Sequence, residues 1–119
     1  MLIPVLGLDP SLRHWGLSEA DLDLSDGVLT TPLGSVIEPK DLQGKNIRVN
    51  MNDQWLAEQL AVPVIAACMR AKAIFVEVPV GSQSARAMAS YGICVGILGA
   101  VRALGIPYFQ VTANENKRV

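Results

Sequence analysis

Two acidic residues stand where their chemistry has to be accounted for. Asp9 closes the apolar run at residues 2–8, and Glu77 interrupts a second apolar, β-rich run, Ala-Ile-Phe-Val-Glu-Val-Pro, at residues 73–79. An unpaired carboxylate in or beside a buried strand is costly unless something compensates its charge. If the two runs are neighbouring strands of one sheet, both carboxylates converge at one edge, where a divalent cation such as Mg²⁺ would satisfy them together. The competing reading turns Glu77 outward on an edge strand or pairs it with an arginine, and leaves Asp9 to open an Asp-Pro turn. Spacing along the chain does not choose between them.

Other residues have phosphate chemistry in reach. Gly81-Ser82-Gln83-Ser84 lies between a strand and a helix, so its backbone N–H groups are placed as at phosphate-binding helix starts, with Arg86 in the following turn. An ordinary serine cap beside a solvated arginine is the plain alternative. Arg13, Lys117 and Arg118 are loop cations near the same expected sheet edge, suited either to DNA phosphates or to solvation. His14 and Trp15 follow Asp9 in the same loop, where they face DNA or serve structure, and no nucleophile pairing is visible. Gly92, Gly96 and Gly99 fall inside a helix instead of opening one, so they do not form a dinucleotide fingerprint. Their spacing suits close packing of that helix on the sheet, with a homodimer seam as the alternative. Cys68, Cys94 and Met88 read as core filler.

The elements that must position these residues follow from pattern. Residues 2–8 make a strand buried on both faces, ended by Asp9-Pro10. Residues 17–24 alternate, Ser25-Asp26-Gly27 supplies a turn, and residues 28–36 return, giving an antiparallel three-stranded start. Residues 38–46 carry Pro39 and Gly44 among charges and read as a loop. Asn50, Asn52 or Asp53 caps a helix running to about Arg70, with Trp55, Leu56, Leu60, Val64 and Cys68 near helical spacing and Pro63 expected to kink or split it. A strand over 73–79, a helix over 85–104 stopped by Gly105 and Pro107, and a last strand over 106–111 complete the order. The sequence βββαβαβ predicts an α/β fold: a mixed β-sheet, antiparallel in its first three strands and parallel later, with helices on its faces.

Composition bounds the alternatives. The 119 residues are 50% hydrophobic and 18% charged, which suits one folded domain spanning 1–119 and excludes a disordered acidic tail. A net charge of -1 rules out an overall basic coat. Charge is nevertheless uneven, with four basic and nine acidic residues up to Gln59, and six basic and two acidic after it. An anionic partner would meet the second half. Two cysteines and one histidine cannot build a four-ligand zinc site or a disulfide framework, and a cytoplasmic protein with reduced thiols is expected. The longest uncharged apolar stretch, 87–101, is fifteen residues, short of the roughly 20 a membrane span needs. The start of the chain has no signal-peptide pattern.

Taken in order, these motifs resemble a known family. Leu6-Gly7-Leu8-Asp9-Pro10-Ser11-Leu12-Arg13-His14-Trp15-Gly16 is similar to the first-strand motif of the RuvC-like Holliday-junction resolvases, a branch of the ribonuclease-H-like nucleases. Phe75-Val76-Glu77 resembles the family's fourth strand with its metal-binding Glu, and residues 85–111 resemble the small-residue-rich helix and fifth strand that follow. The resemblance implies a ribonuclease-H-like fold in a bacterial or phage-encoded protein. It also implies a homodimer acting on branched DNA such as four-way junctions, and phosphodiester hydrolysis with Mg²⁺, or Mn²⁺ in its place, held by Asp9 and Glu77. Lys117 falls where the family places a basic residue beside the cleaved phosphate. Further acidic or histidine ligands in the family come from a helix after the fifth strand, so a chain shortened at its C-terminus is expected, as either a nuclease or a relative that binds branched DNA without cutting it. The family's base-stacking aromatic has no counterpart at Val78, Pro79 or Val80, and Ser11 replaces a glycine, closing the turn or donating to a phosphate. A phosphate-binding domain of the actin-like ATPases is the remaining alternative. Residues 11–15 lack the Gly-rich hairpin that fold requires.

Overall fold

In the computed structural model, residues 1–78 and 84–111 are described, and they form five strands and two helices. The order is β1 (Leu2–Asp9), β2 (Trp15–Asp23), β3 (Leu33–Ile37), α1 (Val49–Met69), β4 (Ala73–Glu77), α2 (Ala85–Arg102) and β5 (Tyr108–Val111). One sheet holds all five strands in the order β3-β2-β1-β4-β5. The first three pair antiparallel, whereas β4 and β5 join parallel to β1. Each parallel step needs a crossover, which α1 and α2 provide. The mixed α/β architecture expected from the sequence is the one observed.

Strand periodicity sorts the side chains. Leu6 and Leu8 of β1, Trp15 and Leu17 of β2, and Ile74 and Val76 of β4 point to one face and are buried in a single apolar cluster. Both helices close over that face: Leu56, Leu60, Val64, Ala67 and Cys68 from α1, and Cys94, Ile97, Leu98 and Val101 from α2. Trp15 is fully buried at the start of β2, so of its two readings the DNA-facing one is corrected and the structural one holds: it is a core residue under the β1–β2 connection. Trp55, expected on the buried stripe, is instead exposed. Cys68 and Cys94 are the core residues anticipated, and burial pushes both thiols up to about 11.

Local chemistry explains where the elements begin and end. β3 starts at Leu33, five residues later than expected. Leu29 still bridges Leu22, and Thr30 both donates its N–H to Asp21 and accepts from the Asp21 N–H through its hydroxyl. Pro32 cannot donate to a ladder, and the pairing slips by one residue between that bridge and the Leu33 pairing with Glu19. Gly27 takes φ 73° in the turn, a conformation open to glycine at little cost. The loop 38–48 is strapped to α1: the Lys40 N–H donates to Gln59 Oε1 at 2.9 Å, and Gln59 Nε2 donates back to the Lys40 carbonyl at 2.8 Å.

α1 is one continuous helix through Pro63. Proline removes one amide donor, but buried side chains on both sides of it hold the helix on the sheet. None of the expected caps serves α1, whose N-cap is Arg48 with no side-chain hydrogen bond. Asn52 and Asp53 lie inside the helix, where other partners engage them. α2 behaves as anticipated, with Ser84 accepting from the Ala87 N–H at 3.1 Å and Gly105 at φ 77° beyond its end. Neither helix is long and apolar enough to cross a membrane.

The glycines of α2 do not pack against the sheet, contrary to the preferred expectation. A Cβ added at Gly92, Gly96 or Gly99 meets nothing within 4 Å among the described residues. Because the space is open and the backbone helical, Gly92→Ala and Gly96→Ala should each raise stability by about 0.5–1 kcal/mol. Urea denaturation with an unchanged m-value checks this, and a loss of stability would mean that the stripe is occupied.

Candidate functional site

Asp9 and Glu77 end up side by side because two neighbouring parallel strands end together. Leu8 pairs with Val76, so the next residues along, Asp9 and Glu77, are the last residues of β1 and β4 at the same sheet edge. Neighbouring strands run about 4.8 Å apart. Leu8 and Val76 face the helices, so the two acids turn onto the opposite face, which neither α1 nor α2 covers. On the other flank β2 places Gly16 directly opposite Asp9. A Cβ at Gly16 would lie 3.3 Å from the Asp9 Cβ and 4.0 Å from its Oδ2, so a side chain here would crowd the carboxylate. Together with Ser18, Phe75 and Val111, these residues line an open cleft of about 390 Å³.

The carboxylates act on each other. The Asp9 pKa is raised, first by partial burial and second by repulsion from Glu77. Asp9 has no ion pair among the described residues. Two anionic oxygen donors side by side at one sheet edge are a donor set suited to a hard divalent cation. No third Asp, Glu, His or Cys joins them among the described residues. Mg²⁺ is commonly held by one or two carboxylates, with water and substrate phosphate completing its shell, so the pair fits such an ion.

The other predicted site residues separate into three groups. Arg13 and Arg86 sit at the same end of the molecule, yet both are engaged by acids. Arg13 Nη1 donates to Asp41 Oδ1 at 2.8 Å, and Asn52 Nδ2 donates to that same oxygen at 2.7 Å. These contacts hold the Asp41 carboxyl below the usual carboxylate range, the Asn52 hydrogen bond first and Arg13 second. Arg86 forks onto both oxygens of Asp53, Nη1 donating to Oδ2 at 3.1 Å and Nη2 to Oδ1. Ser82, Lys117 and Arg118 lie outside the described residues. His14 is exposed, with Nδ1 3.9 Å from Glu38 Oε1.

Sequence reasoning missed two features here. Phe75 shares the acids' face, 39% exposed, and stacks on Phe109 of β5, 49% exposed, with ring centroids 5.2 Å apart. The signal was available, because Phe75 stands two residues before Glu77 and strand side chains alternate. Arg48 joins Arg13 and Arg86 around a second cleft of about 350 Å³. Only the tertiary structure brings those three together.

Comparison with known proteins bears on the fold. No protein-family model matches the sequence, and no curated protein matches it. Among solved structures, the chain is similar to RuvC of Thermus thermophilus, with a TM-score of 0.64 and 20% identity over 92% of this chain. It is also similar to the same organism's RuvC in complex with Holliday junction substrate, with a TM-score of 0.56 and 16% identity over 93% of this chain. The chain spans 64% of the length of each of those structures. At this level of identity the likeness establishes a shared ribonuclease-H-like fold.

Proposed function

We propose that the Asp9–Glu77 edge is the catalytic centre of a metal-dependent, structure-selective endodeoxyribonuclease that hydrolyses phosphodiester bonds in branched DNA such as Holliday junctions. The observation that carries this reading is the placement of two mutually repelling carboxylates at the ends of adjacent parallel strands, in an open cleft of a RuvC-like fold. Asp9 and Glu77 hold the cation, Mg²⁺ or Mn²⁺. Such a cation, when bound, activates water as a nucleophile and stabilises charge on the leaving oxygen.

The chain's own residues supply the rest. Glycine at position 16 keeps the flank of Asp9 low, so that a DNA backbone can approach the carboxylates. Asp9 and Glu77 serve as carboxylate ligands. In this reading Lys117 stands beside the cleaved phosphate, while Ser82, Arg86, Arg13 and Arg118 contact flanking phosphates. A homodimer would set two such edges against a two-fold DNA junction.

Cleavage of a labelled four-way junction should require Mg²⁺ or Mn²⁺ and stop in EDTA. Asp9→Asn and Glu77→Gln should each lower the cleavage rate by about 100-fold or more, since several kcal/mol of charge stabilisation are lost, while junction binding persists. Junction binding by the unaltered protein without any metal-dependent cleavage would favour the reading as a non-cleaving DNA-binding relative. Undiminished cleavage by both variants would refute the metal assignment.

A second prediction needs no activity. The pKa of Asp9 is raised in the folded state, so its favourable contribution is present at acid pH and is lost as pH rises through that raised value. At pH 7 in EDTA, Asp9→Asn should therefore stabilise the protein, by about 0.5 kcal/mol because solvent screens the pair. Excess Mg²⁺ should stabilise the unaltered protein and not the variant, so the gap closes or reverses. Urea melts with and without the metal measure both differences.

A further inference from the structure

The second cleft has a composition the carboxylate site does not explain. It lies between the β1–β2 connection, the loop before α1, and the first turns of α1 and α2, and its walls carry Arg13, Arg48, Arg86, Asp41, Asp53 and Asn52. Arg13 follows Asp9 by four residues and α2 follows β4, so this cleft opens at the same end of the sheet as the carboxylate pair. The side chains of Arg13 and Arg86 are each about half exposed even while paired. Arg48 has no ion pair among the described residues. The Arg86–Asp53 contact is a two-oxygen fork, the same geometry in which a guanidinium receives the two free oxygens of a phosphodiester.

Resting on the nucleic-acid reading above, we propose that this cleft is a phosphodiester-binding subsite separate from the carboxylate pair, whose arginines are held by Asp41 and Asp53 until a DNA phosphate takes the place of those carboxylates. The exchange is feasible because solvent-exposed ion pairs are individually weak, while a backbone phosphate that replaces one also releases counterions from the DNA. Asn52 supports the arrangement by holding Asp41 on one side and the Leu42 N–H, at 2.8 Å, on the other. When Arg13 leaves Asp41, the Asn52 hydrogen bond remains to receive the carboxylate. The acids also act as a filter: an isolated anion finds Arg13 and Arg86 already paired and only Arg48 without an ion pair among the described residues, whereas a polyanion spanning both the subsite and the carboxylate edge displaces the acids.

The test is equilibrium binding of a fluorescent four-way junction in EDTA, across a salt series. Asp41→Asn and Asp53→Asn should each tighten binding about threefold to tenfold relative to Glu58→Gln, an equal charge change at an exposed position of α1 away from the cleft. Arg48→Ala disrupts no ion pair among the described residues, and it should weaken binding and reduce the salt slope by about one. If the Asp41 and Asp53 variants bind no more tightly than Glu58→Gln, or Arg48→Ala leaves both affinity and slope unchanged, the subsite is refuted. That outcome leaves metal-dependent cleavage through Asp9 and Glu77 intact. Failure of the unaltered protein to bind the junction at low salt would overturn both readings together.

Discussion

The parallel pairing of β1 with β4 is the constraint on which the rest depends. It aligns Leu8 with Val76 toward the helices, and the next step along each strand then turns Asp9 and Glu77 together onto the other face. A slip of β4 by one residue against β1 would turn Glu77 into the apolar cluster, where burying an uncompensated charge is costly. Register and core therefore enforce each other. The cost that remains is the partial burial of Asp9 and, second, its repulsion from Glu77, which together raise the Asp9 pKa.

Charge elsewhere at this end is arranged in the opposite sense. Where Asp9 and Glu77 meet with no ion pair to Asp9 among the described residues, Arg13 and Arg86 each meet a carboxylate. The same end of the molecule thus holds an anionic pair suited to a cation and a set of arginines balanced by acids. These pairs also have structural work. Asp41 and Asn52 tie the Asp9-following loop to the segment before α1, and Asp53 ties the first turns of the two helices together. Two of the three positions expected to cap α1, Asn52 and Asp53, serve those ties, and the N-cap itself is Arg48, whose side chain offers no acceptor.

The two faces of the sheet differ in kind. One is sealed by α1 and α2 and contains the fully buried Trp15, Leu56, Leu60 and Val101. The other carries glycine at positions 7 and 16, the stacked Phe75 and Phe109, and the two acids. Small residues over β1 and β2 and aromatic ones over β4 and β5 give that face a low side and a raised side, and the carboxylates lie where the two meet.

Much of this was legible in the chain. Apolar runs cut by Asp9-Pro10 and by Glu77, a serine before α2 and a glycine after it specify element type and order, because strand and helix periods and caps are local properties. The two acids stood out for the same local reason, a charge in an apolar run. What neighbouring residues could not convey was which groups meet across the fold. Pro63 reads as a break, but helix α1 persists because the sheet beneath holds it on both sides. Gly92 and Gly96 read as a packing stripe, yet the side of α2 that turns inward is chosen by Cys94, Ile97, Leu98 and Val101. Arg13 and Arg86 read as free cations, and their partners lie 28 and 33 residues away along the chain. Local sequence determined which elements form and where charge interrupts them. Tertiary structure alone decided which charges face one another, because that depends on strand order, register and helix rotation, which the packing of the whole core sets at once.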